Sequence, residues 1–187
     1  MGAGATRALD LEITVVLQRA ASSALDWAAN LNTLIGQAPV SVALAAILAL
    51  ALWRREPGLA WAAAAFLAVL VAGLVLKLAI VHPPPPEEFV RAFWDPLGIH
   101  FPTPGGFPSG HVARLTFLAL LAGGVWRAPF ARLALGAVVA WTLWARVYIG
   151  DHWASDALGG LALGVASGCA ALLWLRRHGT NVARDIR

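Results

Sequence analysis

The sequence predicts an all-α fold, a polytopic bundle of about six membrane helices with its chemistry gathered at one set of helix ends. Three observations carry that expectation. Of 187 residues, 59% are hydrophobic and only 13% charged, and the mean hydropathy of +0.71 exceeds what a water-soluble core of this size requires. Apolar runs recur at the length, roughly 20 residues, that crosses a hydrocarbon layer of about 30 Å. Nine tryptophans suit helix ends at headgroup level, where an indole is apolar on one side and hydrogen-bonded on the other.

The first segment, 9–35, is interrupted by Asp10, Glu12, Gln18, Arg19 and Asp26, so it is either a polar-faced spanning helix or one lying in the interface. The start, MGAGATRALDLE, lacks the basic-then-apolar design of a cleavable signal peptide, so the first apolar helices are expected to act as the insertion signal. Residues 38–53 and 58–81 then read as spans by length and apolarity. A long connection, 82–109, follows; its VHPPPPEEF, FWDPLG and FPTPGGFP favour a stiff, ordered loop over a floppy tether. A shorter span, 110–126, begins directly after PSGH, and 129–149 and 153–175 complete the set. No internal repeat is visible, and the chain reads as a single domain, 1–187, with a tail from 177 onward.

Arginines in the short loops set an expected orientation. Arg54 and Arg55, Arg127 and Arg132, and Arg176, Arg177, Arg184 and Arg187 all fall on one side, which is then cytoplasmic. The opposite side, the outer face of the cytoplasmic membrane, receives Lys77, the histidines at 82, 100, 111 and 152, and Arg146, Asp151 and Asp156. The net charge of +4 is scattered over segment ends instead of forming a stripe, which argues against a nucleic-acid partner. The lone Cys169 excludes an intrachain disulfide and reads as a small buried hydrophobe.

Three short stretches carry chemistry. In Pro108-Ser109-Gly110-His111, Ser109 is placed to cap a helix whose first backbone N–H groups are unpaired, and Gly110 lets an anion approach them. By itself the stretch fits a plain cap with an interfacial histidine better, since four-residue motifs match by chance. In ARVYIGDHWASD, residues 145–156, His152 and Asp156 share a helix face, and such a bond fixes the imidazole tautomer and leaves the other nitrogen free as a base or nucleophile. Arg146 supplies a forked donor, and Gly150 lets the chain turn so that guanidinium and imidazole converge. The alternative is an Arg146–Asp156 ion pair with His152 as filler, and Asp151 reads as a solvated loop residue or helix cap. Lys77, late in an apolar helix, either snorkels to the interface or faces a polar cavity. Together the three provide an anion-binding helix mouth, two histidines, an orienting carboxylate and two cations. Phosphoryl transfer through a phosphohistidine uses that set.

These residues resemble the pattern of the type-2 phosphatidic acid phosphatases, or lipid phosphate phosphatases, over roughly residues 58–176. That pattern is a Lys followed after six residues by Arg-Pro, then Pro-Ser-Gly-His, then Ser-Arg, five residues, His, three residues and Asp. Pro108 to His111 match the second part, and Arg146, His152 and Asp156 the third, except that Ala145 stands where the family has Ser. Lys77 matches the start of the first part, but Pro84 occupies the position of its arginine. His82, or Arg91 folding back from the loop, is a candidate substitute. The resemblance implies a phosphatase acting on a lipid phosphate or diphosphate, such as an isoprenoid diphosphate (undecaprenyl diphosphate is one), phosphatidylglycerophosphate or phosphatidic acid. His152 would be the nucleophile, Asp156 its orienting partner, His111 the acid, and Lys77, Ser109, Gly110 and Arg146 the phosphate ligands. It implies no metal and no cofactor. Arg114, one turn beyond Gly110, either extends the positive rim or snorkels. The missing Arg and Ser keep two further outcomes open, an impaired lipid-binding or scaffolding relative and a lipid phosphotransferase.

Overall fold

A computed structural model describes residues 2–53, 57–94, 105–126 and 128–177. The expectations placed on Arg54, Arg55, His100, Arg127, Arg184 and Arg187 lie outside the described residues. The protein is all-helical, with α1 Gly2–Gln18, α2 Ser23–Gly36, α3 Ala38–Trp53, α4 Pro57–Ala64, α5 Phe66–Ala79, a 3-10 turn Glu87–Phe89, α6 Gly110–Val125, α7 Pro129–Tyr148 and α8 Ala154–Arg177. Among the described residues, three helical stretches are long and apolar enough to cross a membrane: Ala60–Ala79, Pro129–Tyr148 and Ala154–Leu175.

Two parts of the sequence reading change. The segment 9–35 is two helices instead of one, because the chain leaves α1 at Arg19 and restarts at Ser22, whose extended backbone (φ −150°, ψ 156°) and hydroxyl, accepting from Leu25 N at 3.3 Å, form an N-cap. Residues 38–53 form a helix of 16 residues, α3, that joins α2 at a bend of 55°, and the two are long and apolar enough to cross a membrane when taken together. The bend sits at Gln37, which is extended, and is followed by Pro39, whose missing N–H is harmless in a first turn. Helix α6 remains the short apolar helix expected at this position. The stretch 58–81 becomes α4 and α5, and its end at Ala79 precedes the four prolines that cannot continue a helix.

Helix α6 is the hub, packing on α2, α3, α5, α7 and most extensively on α8. Glycines on one face of α8 make the last contact possible. A Cβ at Gly164 would lie 2.6 Å from Ala113 O and from Thr116 Cβ, and one at Gly168 2.7 Å from Leu120 Cδ1, so only bare Cα atoms let the backbones approach this closely. Phe66 of α5 meets Phe117 of α6 with ring centroids 5.8 Å apart in the main core. Large apolar side chains such as Leu50, Leu67, Phe130 and Leu133 point outward, as a surface covered by lipid tolerates and one covered by water does not. Cys169 is exposed on α8, a correction to its expected burial.

Candidate active site

The turn from α7 into α8 supplies the first wall. Gly150 takes φ 71°, a conformation that favours glycine, while Phe89 O packs closely against it. The tight turn brings Asp151 N and His152 N each to 3.2 Å from Arg146 O. His152 Nδ1 lies 3.5 Å from Asp156 Oδ2, so the ring presents Nε2 to the opposite side. There Asp151 Oδ2 lies 3.7 Å from Nε2 and also pairs with Arg146 Nη2. Arg146 Nη1 donates to Thr33 Oγ1 at 2.9 Å. The alternative of an Arg146–Asp156 pair gives way to this arrangement, and Asp151 is an ion-pair partner instead of a merely solvated residue. Burial holds the His152 imidazole down to about 4, with Arg146 and Lys77 adding to the effect and Asp156 opposing it. His152 is therefore a neutral base throughout the ordinary pH range.

The mouth of α6 forms the second wall. Ser109 stands at the N-cap, yet its side chain makes no capping bond; its backbone N–H donates to Asp156 O at 2.9 Å. Its hydroxyl is wholly buried without a hydrogen-bond partner, and so is His111 Nε2. Buried polar atoms of this kind call for a ligand or water. The Ser109 N–Asp156 O bond joins this wall to the first, and His111 lies within electrostatic reach of Arg146, Arg114, His152 and Lys77.

Lys77 faces inward. Its Nζ donates to Gly106 O at 3.1 Å and to Gly105 O at 3.4 Å, holding the strap that leads into Pro108. Gly106 N donates to His82 O at 2.8 Å, and a Cβ at Gly106 would sit 2.8 Å from Asp156 Oδ2 and 3.5 Å from His152 Nδ1. The strap thus lies flat over the His152–Asp156 pair. His82 Nδ1 approaches Asp156 Oδ1 at 2.7 Å, so two imidazoles share one fully buried carboxylate. His82 backs the carboxylate through that contact. Arg91 is elsewhere: its fork is occupied by both oxygens of Asp26, at 2.8 Å each, which fastens the 82–94 loop to α2.

Several residues outside the three motifs support the site. Thr33 orients Arg146, Gly36 packs against the His111 ring, and Asp10 Oδ1 and Oδ2 accept from Ser155 N at 2.8 Å and Ser155 Oγ at 2.6 Å. Gln18 spans Phe89 O and Tyr148 O, both at 2.8 Å. Their signal was present as polar residues spaced through apolar helices, since a polar group in a membrane bundle needs an internal partner. Among the described residues there is no cluster of three or more His, Cys, Asp or Glu side chains able to hold a metal ion.

The sequence profile of the PAP2 superfamily matches residues 58–180. Over 87 residues the chain is 36% identical to a lipid A 4'-phosphatase of Porphyromonas gingivalis, a match that covers 46% of this chain and 35% of that protein, about a third of its length. The fold is similar to the crystal structure of a transmembrane PAP2 type phosphatidylglycerolphosphate phosphatase from Bacillus subtilis, with a TM-score of 0.76 at 21% identity over 95% of this chain and 89% of that one. It is also similar to Aquifex aeolicus LpxE, with a TM-score of 0.66 at 20% identity over 88% of this chain and 95% of that one.

Proposed function

Since the chain belongs to the PAP2 superfamily, we propose that it removes phosphate from a lipid monophosphate or diphosphate through a phosphohistidine. The observation that carries this reading is the His152 ring, with Nδ1 turned to Asp156 and Nε2 turned to the Arg146 side of the site. In the first step Nε2 attacks phosphorus, a P–N bond forms, the P–O bond to the lipid breaks, and His111 gives the leaving oxygen a proton. In the second, water attacks phosphorus, His111 takes a proton from it, the P–N bond breaks and inorganic phosphate leaves. Arg146, Lys77, Ser109 Oγ and the first N–H groups of α6 stabilise the charge on the equatorial oxygens. No step calls for a metal.

The candidate substrates are an isoprenoid diphosphate such as undecaprenyl diphosphate, phosphatidylglycerophosphate and phosphatidic acid, and the names of the similar proteins add lipid A phosphates. A site at helix ends suits a lipid whose tail stays in the bilayer. We place the site on the outer face of the cytoplasmic membrane; a cysteine at the exposed Glu87 is expected to react with an impermeant thiol reagent in intact cells, and labelling only after lysis refutes that orientation.

Purified protein in chelator is expected to release phosphate from at least one of these lipids, and His152→Ala to slow release by on the order of 10⁴-fold or more, the scale on which loss of a covalent nucleophile registers. Equal rates would sink the mechanism. Pro84 and Ala145 favour a second reading, an impaired relative that binds anionic lipid. It predicts vanadate or lipid binding with no turnover across the panel. Transfer of phosphate to an added acceptor lipid would instead mark a phosphotransferase.

A further inference from the structure

Pro84 removes a guanidinium that the superfamily pattern supplies, and Arg114 lies where another can serve. It sits one turn into α6, and helical side chains lean toward the N-terminus, so its guanidinium runs back over the helix mouth. A Cβ at Gly110 would meet Nη1 at 2.7 Å and Cζ at 3.4 Å, which means the planar group lies across a bare Cα. Nη2 donates to Gly36 O at 2.5 Å, anchoring one prong on α2, while Nε is buried without a hydrogen-bond partner. The Arg114 charge acts on both His111 and Lys77, so it belongs to the same cluster. Snorkelling, the alternative from sequence, does not fit a side chain tied to a carbonyl inside the bundle.

We propose that Arg114 binds the phosphoryl oxygens in place of the absent arginine of the first motif, a role that rests on the phosphatase reading above. One prong is fixed on Gly36, and Nη1 lies against Gly110, the residue between Ser109 and His111, whose Oγ and Nε2 are buried without partners. The guanidinium approaches from the α2 side of the helix mouth, whereas position 84 belongs to the strap side, next to Pro83, whose carbonyl accepts from Trp153 Nε1 at 2.8 Å. The charge has moved across the site and its function has been kept.

The test uses the full chain in detergent, with inorganic vanadate as the oxyanion probe and a lipid phosphate as substrate. Arg114→Gln is expected to weaken vanadate binding and lower kcat/KM by about 10²-fold, the effect of removing one oxyanion donor, with Arg114→Lys in between and melting temperature nearly unchanged. Pro84→Arg in the Arg114→Gln background is expected to recover at least about tenfold of the loss, since the same donor returns from the other side. Vanadate affinity and kcat/KM within threefold of wild type in Arg114→Gln would overturn the proposal. So would a loss in both Arg114 variants that follows unfolding and is not relieved by Pro84→Arg, because Arg114 would then be only a tie to α2. The broader reading fails on a different result: unchanged phosphate release by His152→Ala, or no turnover at all, leaves Arg114-dependent vanadate binding to stand or fall by itself.

Discussion

At the residue scale, Asp151 has the most direct bearing on turnover. Its carboxylate pairs with Arg146 and stands 3.7 Å from His152 Nε2. In the phosphohistidine mechanism proposed above a phosphoryl oxygen takes that position, so substrate displaces the carboxylate. The pair is partly exposed, with 38% of the Asp151 side chain accessible, so its strength is that of a screened ion pair of up to ~1 kcal/mol. Asp151→Asn is accordingly expected to lower KM and tighten vanadate binding by about two- to fivefold with kcat little changed; an unchanged or higher KM in steady-state assays would count against the competition. His152 supplies the pH signature. Its folded value near 4 lies below the ordinary 6.5, so the acid limb of kcat/KM attributable to this group is expected near pH 4, and a limb centred at 6.5 would contradict the buried neutral ring. The same depression contributes stability that is complete above pH 6.5 and is lost as pH falls towards about 4. A melting-temperature series across that window reads it directly. His111, Arg146, His152 and Asp156 stood out in sequence by their motif spacing, but the helix expected to start near 152 begins at Ala154, so His152 meets Asp156 from the turn ahead of α8 and not from a shared helix face. The shared use of Asp156 by His82 was not legible, because it depends on how a proline-rich loop folds back.

At the element scale, α2 does the work that the sequence left undecided between a span and an interfacial helix. Its Thr33 hydroxyl orients Arg146, its Gly36 accepts from Arg114, and its Asn30 takes Phe93 N at 3.1 Å and donates to Arg91 O at 3.2 Å. Thr33→Val keeps shape and removes the acceptor. It is expected to cut kcat/KM by roughly tenfold or more, since a hydrogen bond to a charged group is worth about 1.5–3 kcal/mol. Thr33→Ser should restore activity; failure of that rescue would point to packing instead. The α6–α8 seam makes a separate demand. Gly164→Leu would press a side chain on Ala113 O and Thr116, 2.6 Å from a first Cβ, and is expected to cost at least ~1–3 kcal/mol by overpacking, seen as a lower melting temperature for the whole protein.

At the scale of the molecule, composition and run length were enough to predict an all-helical membrane bundle, because a bilayer leaves a chain few other ways to satisfy its backbone. Helix boundaries were less legible. The break at Arg19 to Ser22 and the bend at Gln37 depend on local caps and on polar partners donated by distant helices, and hydropathy alone carries neither. The same holds for the outer layer of the site, which draws on Asp10, Gln18 and Thr33 from ahead of the segment that the superfamily profile matches.

The Asp10–Ser155 contact links positions 145 residues apart, and this has a meaning in the order of synthesis. Asp10 leaves the ribosome 145 residues ahead of the hydroxyl and N–H that accommodate its charge. Until then the Asp10 carboxylate waits without its native partner. Assembly of the candidate site is thereby tied to synthesis of α8: a nascent polypeptide halted before Ser155 is expected to leave a cysteine at position 10 reactive to thiol reagents, and a chain extended through α8 to protect it.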